Sequence, residues 1–596
     1  MSRYGLIART APKLGLRNVA RVALYRARLK SGWRPRPPDT PCPEGAVYGL
    51  GDSDRQGGSV TLKLFGWYPV ELGAAPDWHA DPFGAGTRQD PDVDWVAALQ
   101  RIGDGDVKRY WELSRFYWLP QFALAARNGD ADAATRMENW LRDWVDANPP
   151  YRSINWACGQ EASIRLMNLA LAALILDTWC DPSPTMRWLV EVHARRIRPT
   201  LSYALGQDNN HGTAEACGIY VAGSWGKRWS MPNADRCART GLRWLNDRAL
   251  RMIQADGSPC QYSTTYHRAN LEGFCLAGLW AEKTGAPRLG TEARSRILDG
   301  ARWLQAIVDP ATGDAPNLGP NDGSHLFTVS QADYRDFRPT VALAAVLFDN
   351  ERPWPDYDDP RVSALGLKQG DHFWPSPTSR SSDVGGYHVL RVGQAMAVLR
   401  YPRFRYRPSQ ADALHVDLWH AGRNLLRDGG TFSYNAEGAE WFAGTAAHNT
   451  IEFDGRDQMP RLGRFLFGDW LKAEAVEPVL DNGVKASAAA AYTDARGAQH
   501  HRAITLSAGS LVCWDAITGN FEEACLRWRL VPGEWYFEGD IVRNGNYSVA
   551  IEFDGMPISP TLGTTMESRY YLRKTEIPEI SVKVSRPGIL ITKVGF

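Results

Sequence analysis

The sequence predicts an α-helical toroid followed by an antiparallel β-sandwich. Three observations carry that expectation. A chain of 596 residues exceeds what one ordinary hydrophobic core holds, so two large domains are expected. From Asp94 onward, apolar residues recur three and four apart, as in amphipathic helices. After about residue 380 the period falls to two, over short runs separated by turn residues, which is the pattern of sandwich strands.

Taken in order, residues 1–42 form a basic N-terminal arm. The opening MSRYGLIARTAPKLGLRNVARVALYRARLKSGWRPRP has no uninterrupted apolar core, so it does not read as a secretory signal, and a cytoplasmic protein is expected. The arm suits either a basic amphipathic helix making peripheral contact with anionic lipid or a solvated packing arm. Residues 43–93 are a Gly/Pro-rich lead-in with one alternating run, SVTLKLFGWYPV, read as a strand pair. Residues 94–350 carry eight to ten helical runs joined by short loops, which fold back on themselves. No fixed repeat period is visible, which disfavours a solenoid. Proline, aspartate and serine concentrate in 351–380, read as a linker, and 381–596 is the sandwich.

Composition narrows the function. Lys+Arg 68 against Asp+Glu 67 argues against a nucleic-acid partner. No run approaches the roughly 20 apolar residues of a membrane span. Nine cysteines without CxxC pairs make neither a zinc ribbon nor a disulfide framework. The 24 tryptophans suit a carbohydrate cleft, where indole stacks on sugar, or the core of a large helical domain.

Three polar clusters stand out against this scaffold. The first is QDNNHGTAEACGIY, with Asn209, Asn210 and His211. The second is GSPCQYSTTYHR, with Tyr266 and His267, and the third is SQADALHVDLWHAGRNLLRDGGTFSYN followed by GTAAHNTIEFDG. An amide, an imidazole and a phenol on loops between buried helices point to chemistry on a sugar. Helix capping is the structural alternative for the asparagines, and a buried phenol bonded to backbone is that for Tyr266. A further run, PNLGPNDGSHLF, carries Asn317, Asn321, Asp322 and His325; it either lines the toroid's mouth or follows from turn chemistry.

Together with DVKRYWELSR and INWACGQEASIR, these clusters resemble the heparinase II/III family of polysaccharide lyases in their order, and in the 56 residues from Asn210 to Tyr266. The resemblance implies an incomplete (α/α) toroid joined to a β-sandwich, and β-elimination of a uronate-containing polysaccharide. It assigns Asn210 to neutralising the substrate carboxylate, Tyr266 to the acid and possible base, and His211 to a base or charge stabiliser. The candidate substrate contacts are Arg115, Glu161, Arg165, Asn209, His267, Asp322, Gln410 and Tyr434, with His267, the neighbour of Tyr266, read first as structural. For Arg115, Glu161 and Arg165 the alternatives are an arginine clamp on a carboxylate and a buried charge network.

The chain departs from the family downstream. Where relatives carry His-x-Asp, and in several of them a zinc ligand, this chain has Gln410-Ala411-Asp412; Asp428 and His448 are retained. A glutamine amide is a poor zinc ligand, so no cofactor is required, and Gln410, Asp428 and His448 are expected to form a hydrogen-bonded cluster, with a structural zinc as the lesser alternative. His415, read as a strand residue, would point away from Gln410. The leading function is a lyase on an acidic polysaccharide, linked to bacterial surface polysaccharide. The alternatives are a glycoside hydrolase, a uronate C5-epimerase and a catalytically decayed binding or assembly protein. Oligomeric state is not legible.

Overall fold

The structure, a computed structural model, describes residues 3–50, 60–84, 86–102, 105–329 and 332–596. Helices Arg3–Thr10 and Leu16–Lys30 form the N-terminal arm, the toroid's helices run from Trp95 to Ala364, and the sandwich strands from Arg380 to Gly595. The chain is therefore a helical toroid followed by antiparallel sheets. The expected lead-in strands are Val60–Leu64 and Tyr68–Leu72, paired antiparallel with Val60 opposite Leu72; Ser59, the first residue of that run, lies outside the described residues. In the segment 351–380, a short helix at Pro360–Ala364 carries the buried Arg361–Asp359 ion pair, and Trp374 donates to Asp349.

The helix Asn210–Gly226 is the hub of the toroid. It packs on five neighbours: Gly159–Ile175, Pro184–Ile197, Leu201–Gln207, Ala234–Met252 and Thr264–Thr284. A helix buried on every side must be apolar or small all round, and here only His211 and Ser224 escape full burial. Its closest crossing, with Ala234–Met252, needs small residues: a Cβ on Gly223 would lie 2.2 Å from the Ala238 nitrogen.

The first sheet is a meander of Arg380–Ser382, Tyr387–Val392, Ala395–Arg400, Val416–His420 and Arg423–Leu426. It is covered on both faces. Tyr387, Val389, Met396 and Val398 join the toroid's core, whereas Leu390, Val392, Ala397 and Leu399 join the sandwich core. Strand Ala395–Arg400 is accordingly buried at all six positions. Arg391 ties the layers by donating to the Ala306 and Val308 carbonyls. A nine-stranded sheet and a four-stranded sheet complete the sandwich.

Tryptophan belongs mostly to the core. Trp95, Trp118, Trp140, Trp144, Trp156, Trp225, Trp280, Trp303 and Trp528 are all at or below 2% exposed, so none of these nine offers a face to a sugar. All nine cysteines are free thiols. Among the described residues, no helix is long and apolar enough to cross a membrane.

Candidate active site

The first polar cluster sits at a break between two helices. Helix Leu201–Gln207 ends at Asp208, which adopts a left-handed conformation (φ 54°). Its carboxylate is held by Arg248 at 2.8 Å and by Arg251. Asn209 is extended and caps the next helix, its side chain accepting from the His211 N–H at 3.2 Å. Asn210 and His211 thus occupy the first turn of a 17-residue helix, where unpaired N–H groups and the helix dipole favour an anion.

The second cluster repeats the device. Tyr262 is left-handed (φ 54°), Ser263 caps helix Thr264–Thr284 by accepting from the Tyr266 N–H at 3.0 Å, and Tyr266 lies in the first turn. A row of amides links the two helix starts. The Tyr266 carbonyl, which can only accept, takes a hydrogen bond from Asn270 Nδ2 at 2.8 Å, and Thr213 donates to Asn270 Oδ1. Asn270 Nδ2 also donates to Gln261 Oε1, and Gln261 Nε2 donates to Asn210 Oδ1, each at 3.4 Å. The backbone carbonyl fixes the polarity of the whole row, which leaves the Asn210 NH2 group to donate into the cavity.

The opposite wall comes from the 316–327 run and from the sandwich. Asp322 pairs with Lys108, and Tyr266 Oη hydrogen-bonds Tyr434 Oη. Tyr434 is pinned through its N–H to Tyr571 Oη at 3.0 Å, and Tyr571 and Ser433 both donate to Asp106. Asn317 donates to the Ser568 carbonyl at 2.9 Å and Asn321 to that of Arg569 at 3.4 Å; these two asparagines of the 316–327 run hold the domains together while Asp322 faces the site. Asn209, Asn210, His211, Tyr266, Asp322 and Tyr434 all line one cavity of about 250 Å3. A second cavity of about 540 Å3 shares Ser409, Tyr434 and Arg464 with it and adds Arg3 and Arg461. The two adjoin along the domain junction, and Arg3, Arg407, Arg461 and Arg464 line them.

Burial sets the protonation states. Desolvation, reinforced by Lys108, lowers His211 to about 4, so the imidazole is neutral near pH 7. Its Nδ1 faces Cys158 Sγ at 4.0 Å, leaving Nε2 for the cavity. Desolvation and the Asp322 charge push the Tyr266 phenol well above its ordinary value, so it keeps its proton. Burial opposes ionisation of Asp322, but Lys108 and Arg115 outweigh it and hold the carboxyl at about 2. The cavity therefore presents a neutral base, a protonated phenol and an amide donor.

Other expected contacts lie elsewhere. Arg115 is chelated by Glu161 at 2.7 and 2.9 Å and bonded to Glu112 at 2.9 Å, with Arg115 and Glu161 both 2% exposed. Arg165 is wedged between Trp144 and Trp156, each centroid 4.9 Å away, and donates to His193. These residues form buried polar packing and not a clamp: a guanidinium with no open side cannot reach a carboxylate. His267 bonds the Gly300 carbonyl at 2.9 Å inside the core. Gln410 lines the second cavity and not the first. Conversely Lys108, Gln261, Tyr406, Arg407 and Arg464 line the first cavity without having been singled out. Lys108 lies in DVKRYWELSR and Gln261 in GSPCQYSTTYHR, whereas Arg464 has no local signal.

The downstream cluster differs from expectation in its third member. Asp428 and His448 are joined by His415 and not by Gln410, with ligand atoms within 4.8 Å of one another. Residues 410–415 are not a strand, and Leu414 turns left-handed (φ 59°) just before strand Val416–His420, so strand alternation does not govern His415. The three buried side chains fit a metal poorly. His415 Nδ1 accepts the Asn449 N–H at 3.0 Å, which places the ring proton on Nε2, the nitrogen 3.6 Å from Asp428. A ligating histidine ordinarily has the reverse arrangement, donating from its outer nitrogen. Asp428 is bonded instead by His448 Nδ1 at 3.0 Å and by the Gly430 N–H at 2.7 Å. We expect dialysis against a chelator, or added zinc, to shift the thermal midpoint by less than about 1 °C, since bound metal would stabilise by mass action. A chelator-induced drop of several degrees would contradict this assignment.

Comparison with known proteins agrees with this architecture. The Heparinase II/III N-terminus family matches residues 78–292, and the Heparinase II/III-like C-terminal family matches 375–559. A heparin-sulfate lyase of Bacteroides stercoris is 21% identical over 404 residues, 61% of this chain and 56% of that protein; the match thus spans little more than half the relative's length. The crystal structure of heparinase III superposes with a TM-score of 0.61 at 18% identity, over 82% of this chain and 78% of that one. Heparan sulfate lyase HepC from Pedobacter heparinus gives 0.53 at 18%, over 88% and 85%. Both structures share this fold.

Proposed function

We propose that this chain, which belongs to the heparinase II/III family, is a polysaccharide lyase that cleaves an acidic, uronate-containing polymer by β-elimination. The observation that carries the reading is the convergence of Asn210, His211 and Tyr266 on one cavity in the protonation states the reaction needs. The substrate carboxylate sits at the start of the Asn210–Gly226 helix, where the Asn210 amide donates to it and disperses the charge that develops as C5 loses its proton. His211 Nε2 takes that proton. The C4–O bond breaks as the C4–C5 double bond forms, and the Tyr266 hydroxyl supplies a proton to the leaving oxygen. No water enters the products.

Hydrolysis finds less support. It needs two carboxyl groups across the bond, one of them protonated. Asp322 is held ionised by Lys108, and Asp106 accepts from Ser433 and Tyr571. Glu215, which burial raises to about 8, is not among the cavity residues, and neither are Glu112, Asp299, Asp417 and Glu579, which burial also raises. Similarity to heparin and heparan sulfate lyases favours an acidic glycosaminoglycan, and the arginines of the two cavities suit any polyanion. We place the substrate among uronate polymers, those of bacterial surfaces included. Cleavage in heavy-oxygen water tests the reading: a lyase leaves both fragments unlabelled, whereas a hydrolase labels one.

The pH profile follows from His211. As base it must be neutral, and because its value is lowered to about 4, kcat/KM should fall with acidification only near pH 4. An ordinary histidine would give that limb near 6.5. With Tyr266 raised, no alkaline limb is expected below pH 10. A limb near pH 6.5 in the rate profile would remove His211 in this environment as the base.

A further inference from the structure

The N-terminal arm carries a surface the toroid does not use. Residues 1–38 contain ten Lys and Arg and no Asp or Glu, in a chain whose net charge is +1. The arm folds as helices Arg3–Thr10 and Leu16–Lys30. The second is bolted down along one side: Tyr25 stacks on Tyr203 at 4.1 Å, Arg21 covers Trp244 at 5.4 Å, and Asn18 donates to Asp208 at 3.4 Å.

Its outer side is apolar. Leu16 is 76% exposed, Val19 39% and Leu24 54%, and Ala20, Ala23 and Ala27 are exposed with them. At 3.6 residues per turn these six positions fall on one stripe. Arg17 and Arg28 follow one edge of the stripe and Arg26 and Lys30 the other, all four exposed. The preceding helix adds Tyr4 at 86% and Ile7 at 45% exposed. Exposed apolar groups at helical spacing between two basic edges are what an interfacial helix presents.

We infer that the Leu16–Lys30 helix docks this protein onto a lipid bilayer bearing anionic headgroups, lying in the plane of the interface. The leucines, valine and alanines enter the acyl boundary, while the arginines and lysine extend to the headgroups. Charge decides among occupants. A second copy of this face would oppose like charges across a two-fold interface. An acidic polymer would engage the basic edges and leave the stripe in water. A bilayer satisfies both features. Because Asn18 touches Asp208, directly before Asn209 and Asn210, docking holds the candidate cleft close to the membrane surface.

Sedimentation of the full chain with vesicles tests the inference. Vesicles of phosphatidylcholine containing phosphatidylglycerol should bind it at least about ten-fold more tightly than phosphatidylcholine alone, and raised salt should weaken binding. Leu16→Glu/Leu24→Glu should lose binding about ten-fold or more, with the thermal midpoint and activity retained. Arg17→Gln/Arg28→Gln, at exposed positions, should lose the preference for anionic vesicles. The inference is overturned if wild type stays in the supernatant with anionic vesicles, or if the Leu16→Glu/Leu24→Glu protein binds like wild type. A wild-type dimer dispersed by that variant would assign the face to self-association and overturn it equally.

Discussion

Tyr266→Phe should lower kcat about 10^3-fold on any polymer the enzyme cleaves, with KM changed little. The substitution removes one oxygen. The ring stays packed at the start of its helix, since Ser263 caps through the Tyr266 backbone N–H and not its phenol. The lost hydrogen bond to Tyr434 costs about 1 kcal/mol of stability, so the protein should remain folded. The chemical cost is larger because the leaving oxygen departs as an alkoxide unless a proton reaches it. Burial and Asp322 keep the Tyr266 phenol protonated, so it has the proton that the proposed reaction requires. Asp322, held at about 2 beside Lys108, has no proton to give. Initial rates with both proteins, alongside their melting curves, check this; retention of more than about a tenth of wild-type kcat would remove Tyr266 from the proton transfer.

Asn210→Asp should be as damaging, by about 10^3-fold in kcat/KM, and Asn210→Ala by about 10^2-fold. Aspartate keeps the shape of asparagine and suits a helix N-terminus, where a negative charge is favourable, so folding offers no explanation for the loss. What changes is the group facing the substrate. The amide row from the Tyr266 carbonyl through Asn270 and Gln261 directs the Asn210 NH2 into the cavity. A carboxylate there withdraws that donor and sets like charge against like. The excess of the aspartate effect over the alanine effect measures the repulsion. Equal effects would mean that no substrate carboxylate lies beside residue 210.

Much of this was legible in the sequence for physical reasons. The change of apolar period near residue 380 separates helices from strands because one face of each element must be buried. Asn209-Asn210-His211 and Tyr266 stood out as polar residues between apolar helical runs; the structure puts both clusters at helix starts, capped by Asn209 and Ser263, where exposed N–H groups favour an anion. Side-chain direction was less legible. Strand alternation sends His415 away from Gln410, but the residues before it are not a strand and Leu414 is left-handed, so His415 joins Asp428 and His448; nothing local in DALHVD announces a positive φ at a leucine. Arg115, Glu161 and Arg165 have the residue types of a carboxylate clamp, and only burial distinguishes a clamp from an internal ion pair. Tyr571 reaches the site from residue 571 to hold Asp106 and the Tyr434 loop, a contact set by tertiary packing alone.

The most direct test of the account follows two signals in one reaction. Wild-type protein is incubated with a panel of uronate polysaccharides, heparan sulfate and alginate among them, while ultraviolet absorbance of unsaturated ends and the number of new reducing ends are recorded together. Elimination predicts that on the cleaved polymer both rise in equal molar amounts. Reducing ends that accumulate without absorbance would contradict elimination and turn attention to a carboxyl pair.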